Sequence, residues 1–389
     1  MLIGRKVTVL GAGVAGLTVA RALALRGAEV TVLEQAPEIR EVGAGLQISP
    51  NGVRVLRALG LGDALAEAGL RGDAVEMHDG LTGSRLARLD LARKGEFRFL
   101  HRARLIAFLA EGARAAGVQI SLLQKVASVS LGAHPPRLVT EQGAEIETDL
   151  LVGADGLHSR VRAALNGPQA PMFTHQVAWR ALIPAEPGAR PVAQVFVAPG
   201  RHLVSYPLQG GLRNIVAVEE RRRWVEESWS LRDDPRALRA AFEGFCPQVQ
   251  GWLAQVEQPW LWGLFRHAVA ARWQGDGAVI LGDAAHPTLP FLAQGAVMAI
   301  EDAWVLAESL ARHDSDTAAL AAYQAARAPR CRQIVEAANR NARNYHLSGA
   351  ARVVAHLGLR GLGLVAPGRL LAQYDWVYDH DVTGGAGTA

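Results

Sequence analysis

The chain has 389 residues, half of them hydrophobic and a fifth charged, which is the composition of a folded globular protein rather than a disordered one. Single cores stop growing at roughly 250–300 residues, so a chain of this length is expected to form about two domains. Forty-one basic and 37 acidic residues leave a formal charge of only +4, and the one basic run, Arg221 to Arg223, is flanked by Glu219, Glu220, Glu226 and Glu227. A nucleic-acid-binding stripe is thereby excluded.

In chain order, Lys6 to Leu10 reads as a short buried strand, Gly11 to Gly16 as a turn and Val14 to Arg26 as an apolar helix. Glu29 to Leu33 reads as a second strand, completing a βαβ start. Arg5 and Lys6 before VTVLGAGVAGLTVA imitate a signal peptide, but the strand-turn-helix reading fits the same residues better. The turn has the spacing GxGxxG, and each glycine has a physical task. Gly11 makes the tight turn, Gly13 admits a pyrophosphate to the backbone, and Gly16 lets helix and strand pack closely. The helix N-terminus offers free N–H groups to the phosphates. Glu34, at the end of the second strand, is placed to accept from ribose hydroxyls; Ala15 and Gln35 complete the candidate contacts. The motif alone leaves NAD and FAD equally open.

Asn51 to Glu67 is expected to be a helix, introduced by Ser49-Pro50-Asn51, and Arg104 to Ala116 another. Ile146 to Val152 reads as a buried strand leading into Gly153-Ala154-Asp155-Gly156. From Gln176 the pattern changes to alternating strands with turns at Pro199-Gly200 and Gly210-Gly211, an antiparallel meander. A helical stretch from Pro235 to Val256 follows, then a strand at Ala278 to Leu281 returns to the first pattern, and helices dominate from Gly295. The expected fold is α/β: a Rossmann-like domain, a second domain built on an antiparallel sheet, and C-terminal helices. The expected boundaries are 1–175, with a substrate-side insertion near 70–100, then 176–270, then 271–389. No internal repeat is present, and the Gly-Ala tail after Asp381 is expected to fray.

Two later segments add to the glycine loop. One is LVGADGLHSRVR, Leu151 to Arg162; the other is VILGDAAHPTLPFLAQG, Val279 to Gly295. In these the chain resembles the flavoprotein aromatic hydroxylases: the first matches their DG motif, the second their GD motif, and with the N-terminal loop they stand in the family's order. The resemblance covers essentially the whole chain. It is nearest to the single-component subgroup that includes salicylate, 3-hydroxybenzoate and 6-hydroxynicotinate hydroxylases, through GAGLQISPN at Gly43 to Asn51, PFLAQGAVMAIEDA at Pro290 to Ala303 and YDWVYDHD near the C-terminus. It implies bound FAD, with NAD(P)H as a transient co-substrate and O2 as the oxidant. Asp283 is expected to accept from a flavin ribityl or ribose hydroxyl, since an ionised carboxylate needs donors. Gly295 and Ala296, opening a helix, are expected to stabilise negative charge on reduced flavin. Arg102 matches the family arginine that contacts the cofactor, although the acidic residue usual two positions later is Arg104 here. Asp155 is implied to link the flavin and nicotinamide sides, with a plain turn aspartate as the alternative.

Absences narrow the reading. There is no second GxGxxG for a nicotinamide cofactor domain, no redox CxxxxC after the first helix, no GWxWxIP of flavin halogenases and no HExxH. The tryptophans at 252, 260 and 262 are expected in the core. Cys246 and Cys331 stand far apart, which excludes a disulfide framework and points to a cytoplasmic location. No stretch is uncharged and long enough for a membrane span, and VVAHLGLRGLGLVAPGRLLA is broken by Arg360 and Pro367.

On the substrate side, His202 and Tyr206 lie four apart on one strand and so share a face, with backbones about 13 Å apart. In the resemblance, the histidine of His-x-x-x-Tyr-Pro assists substrate deprotonation, and a phenolate is the stronger nucleophile toward a flavin C4a-hydroperoxide. Gln47 and Pro290 are candidate pocket residues. Gln294 is a candidate partner of substrate or peroxide, with a structural role left open. His286 is expected to be structural, and Arg180 and Arg201, candidate carboxylate partners, are expected to be solvated strand arginines. The expected function is NAD(P)H-consuming hydroxylation of a small hydroxyaromatic acid by a monomer or homodimer with no nucleic-acid or membrane partner. A monooxygenase of non-phenolic substrates and a flavin-binding protein without turnover are the alternatives.

Overall fold

The computed structural model describes residues 2–39, 44–132, 135–222 and 231–384. Gly43, Arg223, the glutamates at 226 and 227, and the tail beyond residue 384 lie outside that range. The apolar run Lys6–Leu10 forms β1, the interior strand of a six-stranded sheet. Beside it lie β2 (Glu29–Leu33) and β8 (Gln119–Ser121) on one side, and β12 (Leu150–Gly153), β19 (Ala278–Ile280) and β18 (Gln274–Gly275) on the other. All pairings are parallel except β18 with β19. Parallel strands are covered on both faces, which is why these segments read as continuous apolar runs. Helix α1 (Val14–Ala24) packs on α4 (Arg102–Ala115) and on α8 (Gly295–Arg312), which in turn packs on α9 (Asp316–Asn344). Val9, Leu17, Val32, Val152, Val279 and Ile300 are fully buried in the shared core.

The second large sheet has seven strands in the order β17-β13-β16-β15-β14-β5-β6. The meander supplies β13 (Met172–Pro184), β14 (Val192–Ala198), β15 (Arg201–Leu208) and β16 (Leu212–Glu220), and β17 is Trp260–Arg266. The segment near 70–100 adds β5 (Ala74–Asp79) and β6 (Arg85–Asp90), with β5 parallel to β14. Alternation assigns the two faces. Val177, Trp179, Phe196, Leu203, Ile215 and Ala217 pack against α6 (Pro235–Ala241) and α7 (Pro247–Ala254) through Leu238, Phe242, Trp252 and Leu253. The opposite face carries three cross-strand rows: Ala178, Val218 and His202; Arg180, Val216 and Val204; Leu182, Asn214 and Tyr206. Opposed residues in an antiparallel ladder share a face, so His202, Arg180 and Tyr206 all look the same way.

A small sheet, β3 (Gly45–Ile48), β7 (Arg98–His101) and β4 (Gly69–Arg71), faces these rows. There the Gly45 N–H donates to Asn214 Oδ1 at 2.8 Å, and the Phe99 ring lies 5.3 Å from that of Tyr206. A second small sheet, β9 (Val126–Ser130), β10 (Arg137–Thr140) and β11 (Glu145–Glu147), is separate from both large ones.

Three expected elements are divided in the structure. The helix read over Asn51 to Glu67 is α2 (Pro50–Ala58) and α3 (Gly62–Ala68), broken where Gly60 takes φ +73°. The helix over Pro235 to Val256 breaks before Pro247, which starts α7 and cannot continue α6. The strand over Ile146 to Val152 is split at Thr148 and Asp149, whose side chains hydrogen-bond the Lys6 backbone, donating to its carbonyl and accepting from its N–H. Helix α5 (Arg160–Asn166) is capped by Ser159, whose hydroxyl accepts from the Arg162 N–H at 2.9 Å. Helix α10 (Gly349–Val365) has no buried residue. Among the described residues no helix is long and apolar enough to cross a membrane.

Candidate active site

The carboxyl ends of β1, β12 and β19 meet at one edge of the parallel sheet, where α/β sheets receive ligands. Each glycine of the first loop is required for a different reason. Gly11 has φ +97°, and a Cβ there would stand 2.5 Å from the Ala154 carbonyl oxygen. A Cβ on Gly16 would stand 1.8 Å from the Gly11 carbonyl oxygen. A Cβ on Gly13 would meet nothing within 4 Å, so that position is open toward the space above the helix N-terminus. The Glu34 carboxylate accepts from the Ala12 N–H at 2.7 Å and from the Ala36 N–H at 2.8 Å, bracing the loop. Its oxygens keep further lone pairs for a ribose. Gln35 beside it is exposed. Ala15 sits where the loop meets the second motif: a Cβ on Gly282, φ +60°, would lie 2.9 Å from the Ala15 Cβ.

Asp283 follows Gly282, is exposed, and makes no hydrogen bond among the described residues. Asp155 is different. Its Oδ2 accepts from the Arg160 N–H at 2.7 Å, so it helps to cap α5, while Oδ1 is buried without a partner. Burial pushes its pKa up, against hydrogen bonds from Ser159 and the α5 backbone. Arg102 opens α4 and its N–H donates to the Ala44 carbonyl at 3.1 Å. Arg104, where the resemblance would place an acid, donates to Gln209 Oε1 at 3.1 Å and so reaches the meander. The open Gly13 position, the partnerless Asp283 carboxylate and the first turn of α1 together fit a diphosphate and a polyol, as FAD presents them.

Gly295 and Ala296 begin α8. Gln294, which caps it, has its amide committed: Nε2 donates to Ser49 Oγ at 3.0 Å, and Oε1 accepts from Asn51 Nδ2 at 3.2 Å. Below them lies a buried charge network that sequence reasoning missed. Glu301 accepts from Asn51 Nδ2 at 2.7 Å and pairs with Arg327 and Arg330 at 2.7 and 2.9 Å. Asp302 accepts from Arg327 Nε at 2.7 Å and from the Gly282 N–H at 3.1 Å, and hydrogen-bonds His286. Although burial opposes ionisation, the arginines and His286 hold both carboxyls down to about 2. Two adjacent acids in an otherwise apolar helix were the available signal. His286 has the structural placement expected of it. With Cys331 and Asp302 it forms the one metal-ligand-type group among the described residues, but the Arg327 guanidinium already supplies the cation there.

On the sheet face opposite, His202 is 1% exposed, with the rings of Phe291 and Tyr345 at 5.3 and 5.1 Å. Its Nδ1 is 2.7 Å from Nε2 of His346. Burial first, and His346 second, hold its pKa well below the usual histidine value. Pro290 starts the short turn that delivers Phe291 to His202. Tyr206 is buried, and a Cβ on Gly45 would lie 2.8 Å from its ring, so glycine lets β3 approach. Burial raises the Tyr206 pKa, against a lowering by Arg180. Gln47 is half-buried on the Gly45 face of β3, opposite Phe99. Between His202 and Tyr206, the side chains of Val204 and Val216 are only half-buried although they lie on central strands.

Arg180 corrects the expectation of a solvated strand arginine. It is half-buried in the same row, its guanidinium lies 4.4 Å from the Trp262 ring centroid, and its Nε has no partner. Burial brings its pKa down to about 10. Arg201 is the exposed residue expected, 3.7 Å from Glu219. Trp252 and Trp262 are buried as expected, with Arg180 over the Trp262 ring, whereas Trp260 is half-buried on β17 beneath Arg232. His346 was not predicted, and 144 residues separate it from His202, so no local spacing could have announced it.

A family model described as "FAD binding domain" matches residues 5–338. A 3-amino-4-hydroxybenzoate 2-monooxygenase of Streptomyces cremeus is 37% identical over 353 residues, 88% of each chain. A 3-hydroxybenzoate 6-hydroxylase of Polaromonas naphthalenivorans is 32% identical, covering 97% of this chain and 96% of its own. Among solved structures, Klebsiella pneumoniae HpxO complexed with FAD and uric acid superposes with a TM-score of 0.83 at 25% identity, covering 95% of each chain.

Proposed function

We propose that this chain, which belongs to the FAD-binding family of flavoprotein monooxygenases and is an FAD-dependent monooxygenase, hydroxylates a small hydroxyaromatic acid with NAD(P)H and O2 as co-substrates. The observation that carries the substrate reading is His202: a buried imidazole, kept neutral, on the same sheet face as Tyr206 and Arg180, with a half-exposed apolar wall between them. Relatives named for 3-amino-4-hydroxybenzoate, 3-hydroxybenzoate and 6-hydroxynicotinate support the same class.

The cofactor part is the six-stranded sheet with its helices. Gly11, Gly13, Ala15 and Gly16 hold the diphosphate, Glu34 and Gln35 the adenosine ribose side, and Asp283 the polyol. Arg102, Asp155 and the N–H groups of Gly295 and Ala296 complete the ring end. Bound FAD supplies the two-electron reduction by nicotinamide and the activation of O2. Everything else falls to the chain. Arg180 grips the substrate carboxylate, a bidentate role suited to a guanidinium. His202 takes the ring-hydroxyl proton at Nε2, which raises the electron density of the carbon to be hydroxylated. Phe291, Tyr345 and Tyr206 exclude water, with Gln47 and Pro290 on the rim. Gln294 positions the start of α8 through Ser49 and Asn51.

The test is His202→Gln in FAD-loaded enzyme. Product formation should fall by roughly 10²–10⁴-fold while flavin content and substrate binding persist. Unchanged coupled hydroxylation across pH would remove His202 as the base.

A further inference from the structure

A base buried as deeply as His202 can accept a proton only if the proton can leave again, because imidazolium is poorly solvated there. Among the described residues around His202, one exit is available. Val218 of β16 and Val197 of β14 flank it and Phe291 lies against it, none of them able to take a proton. The Tyr345 phenol is held protonated by burial. His346 remains, its Nε2 2.7 Å from His202 Nδ1. On its other side, His346 Nδ1 lies 2.9 Å from Glu220 Oε1 and 3.3 Å from the Gln176 amide nitrogen. The His346 side chain is 2% exposed and that of Glu220 is 55% exposed, so the chain of contacts runs from the interior to water. Nearby, Arg201 and Arg221 both pair with Glu219, and Glu220 has no arginine partner among the described residues.

Glu220, the nearer partner, is an acceptor and places the His346 proton on Nδ1, leaving Nε2 to accept from the Nδ1–H of His202. That tautomer requires the Gln176 amide to be turned so that its Oε1, which is buried without a partner, faces the Nδ1–H in place of Nε2. His202 Nε2 is then the free acceptor, without a partner among the described residues. Burial holds both histidines below the ordinary value, so each is neutral with one donor and one acceptor nitrogen.

We propose that His202, His346 and Glu220 form a proton relay that carries the substrate's hydroxyl proton from the closed pocket to solvent; this rests on the hydroxyaromatic reading above. The substrate O–H bond breaks and its proton joins His202 Nε2. The Nδ1 proton of His202 passes to His346 Nε2, and the Nδ1 proton of His346 passes to the Glu220 carboxylate, which releases it to water. One proton leaves and the substrate remains as its phenolate. Reverse transfer protonates the departing product and restores the starting tautomers. His346 and Glu220 act through His202 and touch no substrate.

The test uses oxidised FAD-loaded enzyme and 4-hydroxy-3-nitrobenzoate, whose phenolate is coloured, mixed by stopped flow at a pH where the free probe is protonated. In the wild type, the phenolate band should grow after binding. In His346→Gln its rate should fall at least tenfold, and in the surface variant Glu220→Gln at least threefold, with the probe's dissociation constant within threefold of wild type in both. Small imidazole buffers should restore part of the lost rate. Wild-type ionisation rates in both variants would overturn the relay. A wild-type enzyme that never ionises the probe would overturn the hydroxyaromatic reading itself, and the relay with it.

Discussion

At Gly13 and Gly16 the same residue type answers opposite demands. A methyl on Gly16 strikes the Gly11 carbonyl at 1.8 Å, whereas a methyl on Gly13 meets only open space. Gly16→Ala should therefore lower the stability of the apoprotein by about 1–3 kcal/mol in thermal unfolding, as overpacking does. Gly13→Ala should leave apoprotein unfolding unchanged and weaken FAD binding at least tenfold. Equal effects of the two on the apoprotein would contradict the assignment. Asp283→Ala should weaken FAD binding by about 1.5–3 kcal/mol, the range for a hydrogen bond to a charged group, measured by flavin release. The positions of these residues were legible, because loop glycines and a strand-end acid obey local geometry. The His202 and Tyr206 pair was legible for the same reason, since four residues along a strand restore the face. Arg180 was misjudged and His346 was missed, because both depend on what another element packs beside them.

At the scale of elements, helix α8 joins the site to the core. Its start presents Gly295 and Ala296, and its buried Glu301 and Asp302 fasten α2, α9 and the Gly282 turn. Asp302→Ala would leave the buried Arg327 short of a partner and the Gly282 N–H unpaired. A loss of about 3–5 kcal/mol is expected, read from denaturant midpoints. Both carboxyls lie near 2 in the folded chain against ordinary values of 4.5 and 3.8. A depressed folded pKa stabilises above the unfolded value, and that contribution is lost as pH falls. Unfolding midpoints should thus be level above about pH 5 in this respect and drop steeply between roughly 4.5 and 2, with Asp302→Asn flattening the drop. Element boundaries were less legible than element types. Leu59-Gly60-Leu61-Gly62 keeps the helical hydrophobic pattern while Gly60 turns left-handed, so periodicity ran through a real break. A turn over Phe242 to Cys246 separates α6 from α7, which starts at Pro247, inside a segment whose pattern reads as one helix.

At the scale of the molecule, three segments far apart in sequence meet at one sheet edge, while the meander turns a face with His202, Arg180 and Tyr206 toward the small β3-β7-β4 sheet. Motif order and strand pattern foretold the α/β fold with its antiparallel sheet, and β5 and β6 from the segment near 70–100 join that sheet. FAD should stabilise the whole chain by linkage, so the unfolding temperature should rise with added FAD until its site saturates. The most direct test of the central claim is turnover of FAD-loaded enzyme with NADH and NADPH against a panel of hydroxybenzoates, aminohydroxybenzoates and hydroxynicotinates, scoring nicotinamide oxidation, hydroxylated product and hydrogen peroxide together. At least one of these acids should accelerate nicotinamide oxidation and yield a singly hydroxylated product with little peroxide. Oxidation that no acid in the panel accelerates, with no hydroxylated product, would contradict the account.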